Sequence, residues 1–413
     1  MRTGNGLEAA FVGRRAIILC VNLCPTPRQR NLRSLLQVLG FHTVYVTWDR
    51  TKGEPAPDVQ DGEVLATVHL AAPTESTRLL FRIPRYLRAV ATILRCEMRT
   101  GKISPVIVAT HFSHLPLVVI FRRALWIYDT AEYYAFSLSR YFGFLGSVIR
   151  PILIYAEGLA VKRMYAVLAV DSKDQWFEKQ LVRFNAAVRV VPNVPARGDD
   201  PPAELITRYG HSDAGRRVIA YVGGIVEQKG LEVALEAVAA LRSVAPDVLL
   251  LLIKSGQQGS EERMQEMIRS RGLSEYVKLE GPLPYPQMLA RIWNAEIGVA
   301  LYQRNSWYER VGALNARKIF TYMQAGLAVV APEFGEIARV VHETDCGVLV
   351  DTEDPWRVAE ALSSLLADAT TRVRLQANAR RAFEQRYNWE SISAELAPWL
   401  AERCERTILR KRL

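Results

Sequence analysis

The segment Tyr221 to Leu231, YVGGIVEQKGL, sets two glycines at the end of an apolar run and a lysine before an amphipathic stretch. Gly223 and Gly224 let the backbone approach a ligand closely, and Lys229 brings a point charge suited to phosphate. A diphosphate cradle and an ordinary strand–turn–helix with a solvated lysine both fit this pattern. Further along, Asn315 to Ala331 reads NARKIFTYMQAGLAVVA. Lys318 and Tyr322 stand four apart and share a helix face. Gly326 is a natural stop for that helix, and an apolar strand follows. Gly312 and Asn315 lie on the approach to its N-terminus, where unpaired N–H groups favour an anion. Lys318 belongs either to such a site or to a solvated helix face. In the first half, Thr110-His111 closes another apolar run, placing a histidine either to hydrogen-bond a ligand or to serve the fold. Asp129 and Glu132 flank the end of the next run. One of them suits acid or base work on a hydroxyl, and helix capping suits both.

The elements that position these residues alternate between β-branched apolar runs and helical patterns, which implies parallel sheets with crossover helices. Runs at Ala16–Leu23, Val44–Thr47, Val64–His69, Val106–Thr110, Leu125–Tyr128, Ala166–Val170 and Val188–Val191 read as strands. The stretch Asn193–Pro202, NVPARGDDPP, is a linker by its prolines, glycine and charge. The pattern then restarts with strands at Val218–Val222, Val248–Ile253, Val277–Leu279, Ile297–Leu301 and Ala328–Val330, and a helix at Leu231–Leu241. At 413 residues the chain is too long for one ordinary core. The expectation is two doubly wound Rossmann-like α/β domains with ligands beyond the strand ends, in a cleft between them. Residues 1–195 form the first, 196–385 the second, and 386–413 a last helix packing back on the first.

Composition narrows the class. An apolar share of 49% and a charged share of 23% are those of a globular protein. No uncharged apolar run reaches transmembrane length, and the N-terminus has no signal-peptide core. The five cysteines are scattered, and Cys20 and Cys24 lack a second pair or a histidine cluster, so a reduced, cytoplasmic chain without a metal or other cofactor is expected. The net charge of +10 arises in the first half, where residues 1–195 carry about 25 Lys and Arg against 14 Asp and Glu. That half should face something anionic: a membrane surface, a diphosphate-linked lipid or nucleic acid. Arg85, Arg88, Arg95, Arg99 and Lys102 fall in one sector of a helix, which suits either anionic lipid or solvent. The apolar stretch Tyr141–Ala160 is a second candidate contact, and the basic C-terminal tail a third. No recognition motif accompanies the basic half, so nucleic acid is not expected as a partner.

Both lysine-bearing segments resemble the signature stretches of glycosyltransferase family 4, typically GR-x3-KG and KLFEYMAxGxPVV. WIYDTAEYY at Trp126–Tyr134, VLAVDS at Val167–Ser172, VRVVPNVP at Val188–Pro195, YVKLEGPLPYPQM at Tyr276–Met288 and YNWE at Tyr387–Glu390 are similar to further family segments, in the family's order. The resemblance spans about residues 15–400. It implies a GT-B fold, two Rossmann-like domains facing a central cleft, and retaining transfer of a sugar from a nucleotide-sugar donor. The acceptor it implies is an oligosaccharide or lipid-linked intermediate of bacterial cell-surface polysaccharide or glycoconjugate synthesis, made at the inner membrane face. It sets Lys229, Lys318 and Thr321 at donor positions and His111 near the transferred sugar, while the family's histidine between Asp129 and Glu132 is Ala131 here. Taken with the reading of the residues above, Gly223, Gly224, Lys229, Gly312, Asn315, Lys318, Thr321 and Tyr322 are expected to bind the donor, and His111, Asp129 and Glu132 to serve catalysis. Three departures stand out: the usual arginine is Gly224, and the two usual glutamates are Thr321 and Ala313. Arg317 and Glu309 are the nearest substitutes in sequence. A non-catalytic GT-B protein or accessory subunit, and a nucleotide-sugar epimerase, are the competing functions.

Overall fold

The computed structural model describes residues 11–411, apart from 12, 51–61, 72–80, 102–104, 133, 171–180, 186, 211–212, 214, 227–228, 256–259 and 305–316. It divides into two compact units, Met1–Asn193 with Ile392–Leu413, and Val194–Ser391.

Unit 1 is built on seven parallel strands: β1 (Arg15–Leu19), β2 (His42–Asp49), β3 (Val64–His69), β4 (Val106–Ala109), β5 (Leu125–Thr130), β6 (Ala166–Ala169) and β7 (Val188–Val190). Their order is β3-β2-β1-β4-β5-β6-β7. Central strands such as VIVA at 106–109 are buried along their whole length, which is why they read as continuous apolar runs rather than alternating ones. The first crossover helix, Pro27–Val38, starts at Thr26, whose side chain accepts from the Gln29 backbone N–H while the Gln29 side chain accepts from the Thr26 N–H. Pro27 sits at its first position, where a missing N–H costs nothing. Leu396, Leu400, Ala401 and Cys404 of the last helix, Trp389–Lys411, are buried, and Trp399 lies against Arg189.

Unit 2 has six parallel strands: β8 (Arg217–Gly223), β9 (Val248–Lys254), β10 (Val277–Glu280), β11 (Ile297–Val299), β12 (Ala328–Pro332) and β13 (Gly347–Val350). The order is β10-β9-β8-β11-β12-β13. The expected strands are all present, and the expected helix is Leu231–Leu241. β13 is missing from the sequence reading because GVLV is short and only partly buried. In both units the strand order reverses at the first strand: β1 lies between β2 and β4, and β8 between β9 and β11. Ligands in doubly wound sheets bind outside the carboxyl ends of strands at that reversal.

One buried acid gives the fold a pH dependence of its own. Glu157, on the helix Gly146–Val161, is 3% exposed and accepts a 2.7 Å hydrogen bond from the Tyr128 hydroxyl. Burial raises its pKa to about 7. A carboxyl raised on folding supports the native state fully below its unfolded value, and that support is lost as pH rises through the folded one. Stability should therefore fall by about 3 kcal/mol between pH 4.5 and 8 from this group. Glu157→Gln keeps an acceptor for Tyr128 without titrating, so urea melts at pH 5 and pH 8 should show a flatter profile and a gain confined to the higher pH. An unchanged pH slope in this variant would exclude Glu157 as its source.

Candidate functional site

In unit 2 the strand reversal places Gly223 and Gly224 at the carboxyl end of β8, opposite the chain leaving β11. Gly223 has φ 155°, and a Cβ there would lie 3.0 Å from the Tyr221 hydroxyl and 3.3 Å from Lys318 Nζ. The missing side chain thus leaves the lysine its space. Lys318 comes from the helix Arg317–Ala325, which Tyr322 fastens in place: its hydroxyl accepts from the Val222 N–H (3.1 Å) and donates to the Val299 carbonyl (2.9 Å). Tyr322 is fully buried, so this bridge between β8 and β11 replaces the donor contact expected of it. One turn earlier on the same face, Lys318 points at Gly223.

Lys318 is 8% exposed, and its Nζ has no hydrogen-bond partner among the described residues. Two aromatic rings flank the ammonium, Tyr221 at 4.0 Å and Tyr302 at 4.8 Å from their centroids. Such faces attract a cation, yet they leave its N–H donors unfilled. Burial first, and the charge of Lys229 second, push its pKa well below the ordinary lysine value. Lys229 is itself half-buried and lowered by desolvation. The two motif lysines, separated in sequence by 88 intervening residues, therefore sit within electrostatic reach of each other. Between Lys229 and the helix Leu231–Leu241 stands Gly230, in the left-handed region at φ 69°, where a Cβ would collide with the Leu301 carbonyl oxygen. Among the described residues no side chain caps that helix, which leaves its first N–H groups to an anion.

Thr321 lies elsewhere on its helix, 2% exposed, with its hydroxyl 3.5 Å from that of Tyr285. Tyr285 donates to Gln324 Oε1 at 2.8 Å, and the Arg317 guanidinium packs 4.5 Å over the Tyr285 ring and 3.6 Å from Asp199. Arg317 thus faces Tyr285 rather than Lys318, and does not replace the arginine absent at Gly224. Gly312 and Asn315 lie outside the described residues, as do Glu309 and Ala313.

In unit 1, His111 follows β4 and opens a short 3-10 turn. Its Nδ1 accepts from the Ser113 N–H (3.1 Å) and lies 2.8 Å from the Ser113 hydroxyl. That leaves Nε2 as the protonated nitrogen, a donor suited to a sugar hydroxyl. Burial, with the charge of Arg50 adding to it, lowers the pKa to about 4, so the ring is neutral near pH 7. Asp129 is less available than the sequence implies. It is 2% exposed, and Arg28 spans both its oxygens at 2.7 to 3.1 Å while also donating to the Val191 carbonyl. A carboxylate held this way is a structural anchor rather than a base. Glu132 is exposed just beyond β5, and its carbonyl accepts from the Thr130 hydroxyl. Among the described residues no three His, Cys, Asp or Glu side chains cluster as metal ligands.

Residues 206–382 match the family model of glycosyl transferases group 1. The matched stretch holds both lysines, Gly223, Gly224 and Gly230. A D-inositol 3-phosphate glycosyltransferase of Corynebacterium urealyticum is 34% identical over 185 residues, 44% of this chain and 42% of the relative. The chain likewise spans under half the length of the next two curated relatives. Among solved structures, sucrose-phosphate synthase of Thermosynechococcus elongatus aligns over 94% of this chain and 99% of its own, with TM-score 0.69 and 19% identity. HepE of Anabaena, solved with UDP, aligns over 94% and 100%, with TM-score 0.64 and 15% identity. These neighbours have the GT-B fold, and the two Rossmann-like domains expected from the sequence are present.

Three residues escape the sequence reading. Tyr221 and Tyr302 flank Lys318, and an aromatic residue two positions before a glycine pair was the available signal for the first. Arg28 offers a fainter one: a charged residue directly after the helix-starting Pro27, at a position the helix buries.

Proposed function

We propose that the chain is a retaining glycosyltransferase that uses a nucleotide-sugar donor and an oligosaccharide or lipid-linked acceptor, at the cytoplasmic face of an anionic membrane. What supports the donor reading most is Lys318: a buried ammonium with unfilled donors, beside a second lysine and a glycine-opened backbone. A diphosphate would satisfy both charges and accept from the first N–H groups of the helix Leu231–Leu241. Negative charge grows on the diphosphate as the sugar departs, so these groups stabilise the transition state more than the bound donor. His111 would donate from Nε2 to a hydroxyl of the transferred sugar. The retaining outcome, the acceptor class and the place in glycoconjugate synthesis rest on the motif resemblance. A non-catalytic role is the second reading, because Thr321 and Tyr285 occupy a place where the resemblance implies a carboxylate.

Binding a dianion restores an ordinary lysine pKa to Lys318, so the complex should take up protons wherever the free ammonium is partly neutral. Calorimetry of UDP, GDP and ADP in two buffers of different ionisation enthalpy at one pH should reveal that uptake, and Lys318→Met should reduce it. If none of the three nucleotides binds the parent protein, the non-catalytic reading takes its place.

A further inference from the structure

The helix Gly146–Val161 is amphipathic the wrong way round for water. Its outward residues Val148, Ile152, Tyr155 and Leu159 follow at spacings of four, three and four, and are 37% to 64% exposed. Its arginine and glutamate turn inward: Arg150 donates to the Ser139 hydroxyl, and Glu157 accepts from Tyr128. Helices on a solvated surface carry the opposite arrangement. The apolar face continues onto the neighbouring helix Leu115–Ile120 through Val119 and Ile120, and to Phe144 in the turn before Gly146, 88% exposed. The 20-residue stretch Phe142–Val161 has mean hydropathy 1.5, and by length and composition could cross a membrane. Its place in the sheet argues otherwise. The helix is the crossover between the adjacent parallel strands β5 and β6, so both its ends must return to one sheet.

A row of cations borders this face. The helices Ile83–Thr100, Leu115–Ile120 and Gly146–Val161 connect β3 to β4, β4 to β5 and β5 to β6, so all run antiparallel to the strands and end at the same edge of the sheet. At those ends stand the exposed Arg99, Arg122, Arg123, Lys162 and Arg163, with Arg95 reaching to 6.0 Å from the Phe121 ring. Residues 112–163 hold three acids, of which Asp129 and Glu157 are buried. An apolar ridge edged by cations complements an anionic bilayer, whose interface accepts apolar side chains to a depth of about 5–10 Å while its headgroups meet the charges. A symmetric pairing of two copies through the same face would bring like charges together along its border.

We propose that the Leu115–Ile120 and Gly146–Val161 face lies on an anionic membrane, its apolar ridge in the interface and its cationic row on the headgroups. This rests on the anionic-membrane partner proposed above, and moves the principal contact away from the Arg85–Lys102 stripe. That helix exposes its arginines but buries Tyr86, Val90, Ala91 and Leu94. The test is sedimentation of the full chain with vesicles of phosphatidylcholine, alone or mixed with phosphatidylglycerol, with UDP affinity and circular dichroism as checks on folding. The parent should sediment with the mixed vesicles, and Ile152→Glu/Tyr155→Glu should lower that binding by at least about tenfold with unchanged circular dichroism. Arg122→Glu/Arg123→Glu should weaken it in proportion to falling salt sensitivity, and Arg85→Glu/Arg88→Glu should leave most of it. Binding retained by the apolar double variant overturns this face while the membrane partner stands. No sedimentation of the parent overturns both. A parent dimer in light scattering that the apolar variant turns into monomer assigns the face to a second copy instead.

Discussion

Turnover of Lys318→Ala and of Lys229→Ala is expected to fall by about 30- to 1,000-fold each, corresponding to roughly 2–4 kcal/mol of lost transition-state stabilisation. The size follows from the missing arginine. With Gly224 in its place and Arg317 turned onto Tyr285, a donor diphosphate bound as proposed would rest, among the described residues, on two lysines and the backbone. Removing either leaves the leaving group with one side-chain cation. Loss should be larger in kcat than in binding, since the charge develops during the reaction. Lys318→Ala also removes a buried desolvated cation, so its fold should be no less stable, and a urea melt alongside the radiolabelled-donor assay separates the two effects. Wild-type turnover by either variant would move the donor cradle elsewhere.

Asp129→Asn should destabilise the protein by about 3–5 kcal/mol, the usual consequence of leaving one member of a buried ion pair uncompensated. Arg28 is 6% exposed, and its charge would then face a neutral amide while still bound to the Val191 carbonyl. The double variant Arg28→Met/Asp129→Leu removes both charges and should recover much of the loss, because well-packed apolar replacements of a buried pair are often neutral. The catalytic role that the sequence permits for Asp129 makes a different forecast: a fall in kcat at unchanged stability. Chemical melts and single-turnover rates on the same preparations distinguish the two. A stable, slow Asp129→Asn would return this residue to the reaction.

The parallel strands, the restart after the linker, the helix at Leu231–Leu241 and the basic excess of the first half are legible in the sequence because each follows from local periodicity or from counting. The meeting of Gly223, Lys229 and Lys318 in one place is legible too, since the two segments that carry them both end beside strands of the same sheet. Side-chain partners are not local. The separation of 101 positions between Arg28 and Asp129 hides their pairing from any window, and Asp129 therefore reads as available when both its oxygens are taken. Tyr322 reads as a ligand contact because it shares a face with Lys318, whereas the fold uses its hydroxyl to join two strands. The helix Gly146–Val161 makes the same point from its surface. Its sequence gives an apolar stretch interrupted by Arg150 and Glu157, but periodicity cannot say which side meets the sheet. Tyr128 and Ser139 decide that by pairing with the two charged side chains, and once those are satisfied inside, the apolar face is left outward. A buried polar group without a partner costs more than an exposed apolar side chain, so the location of hydrogen-bond partners, known only after the chain is folded, sets the orientation.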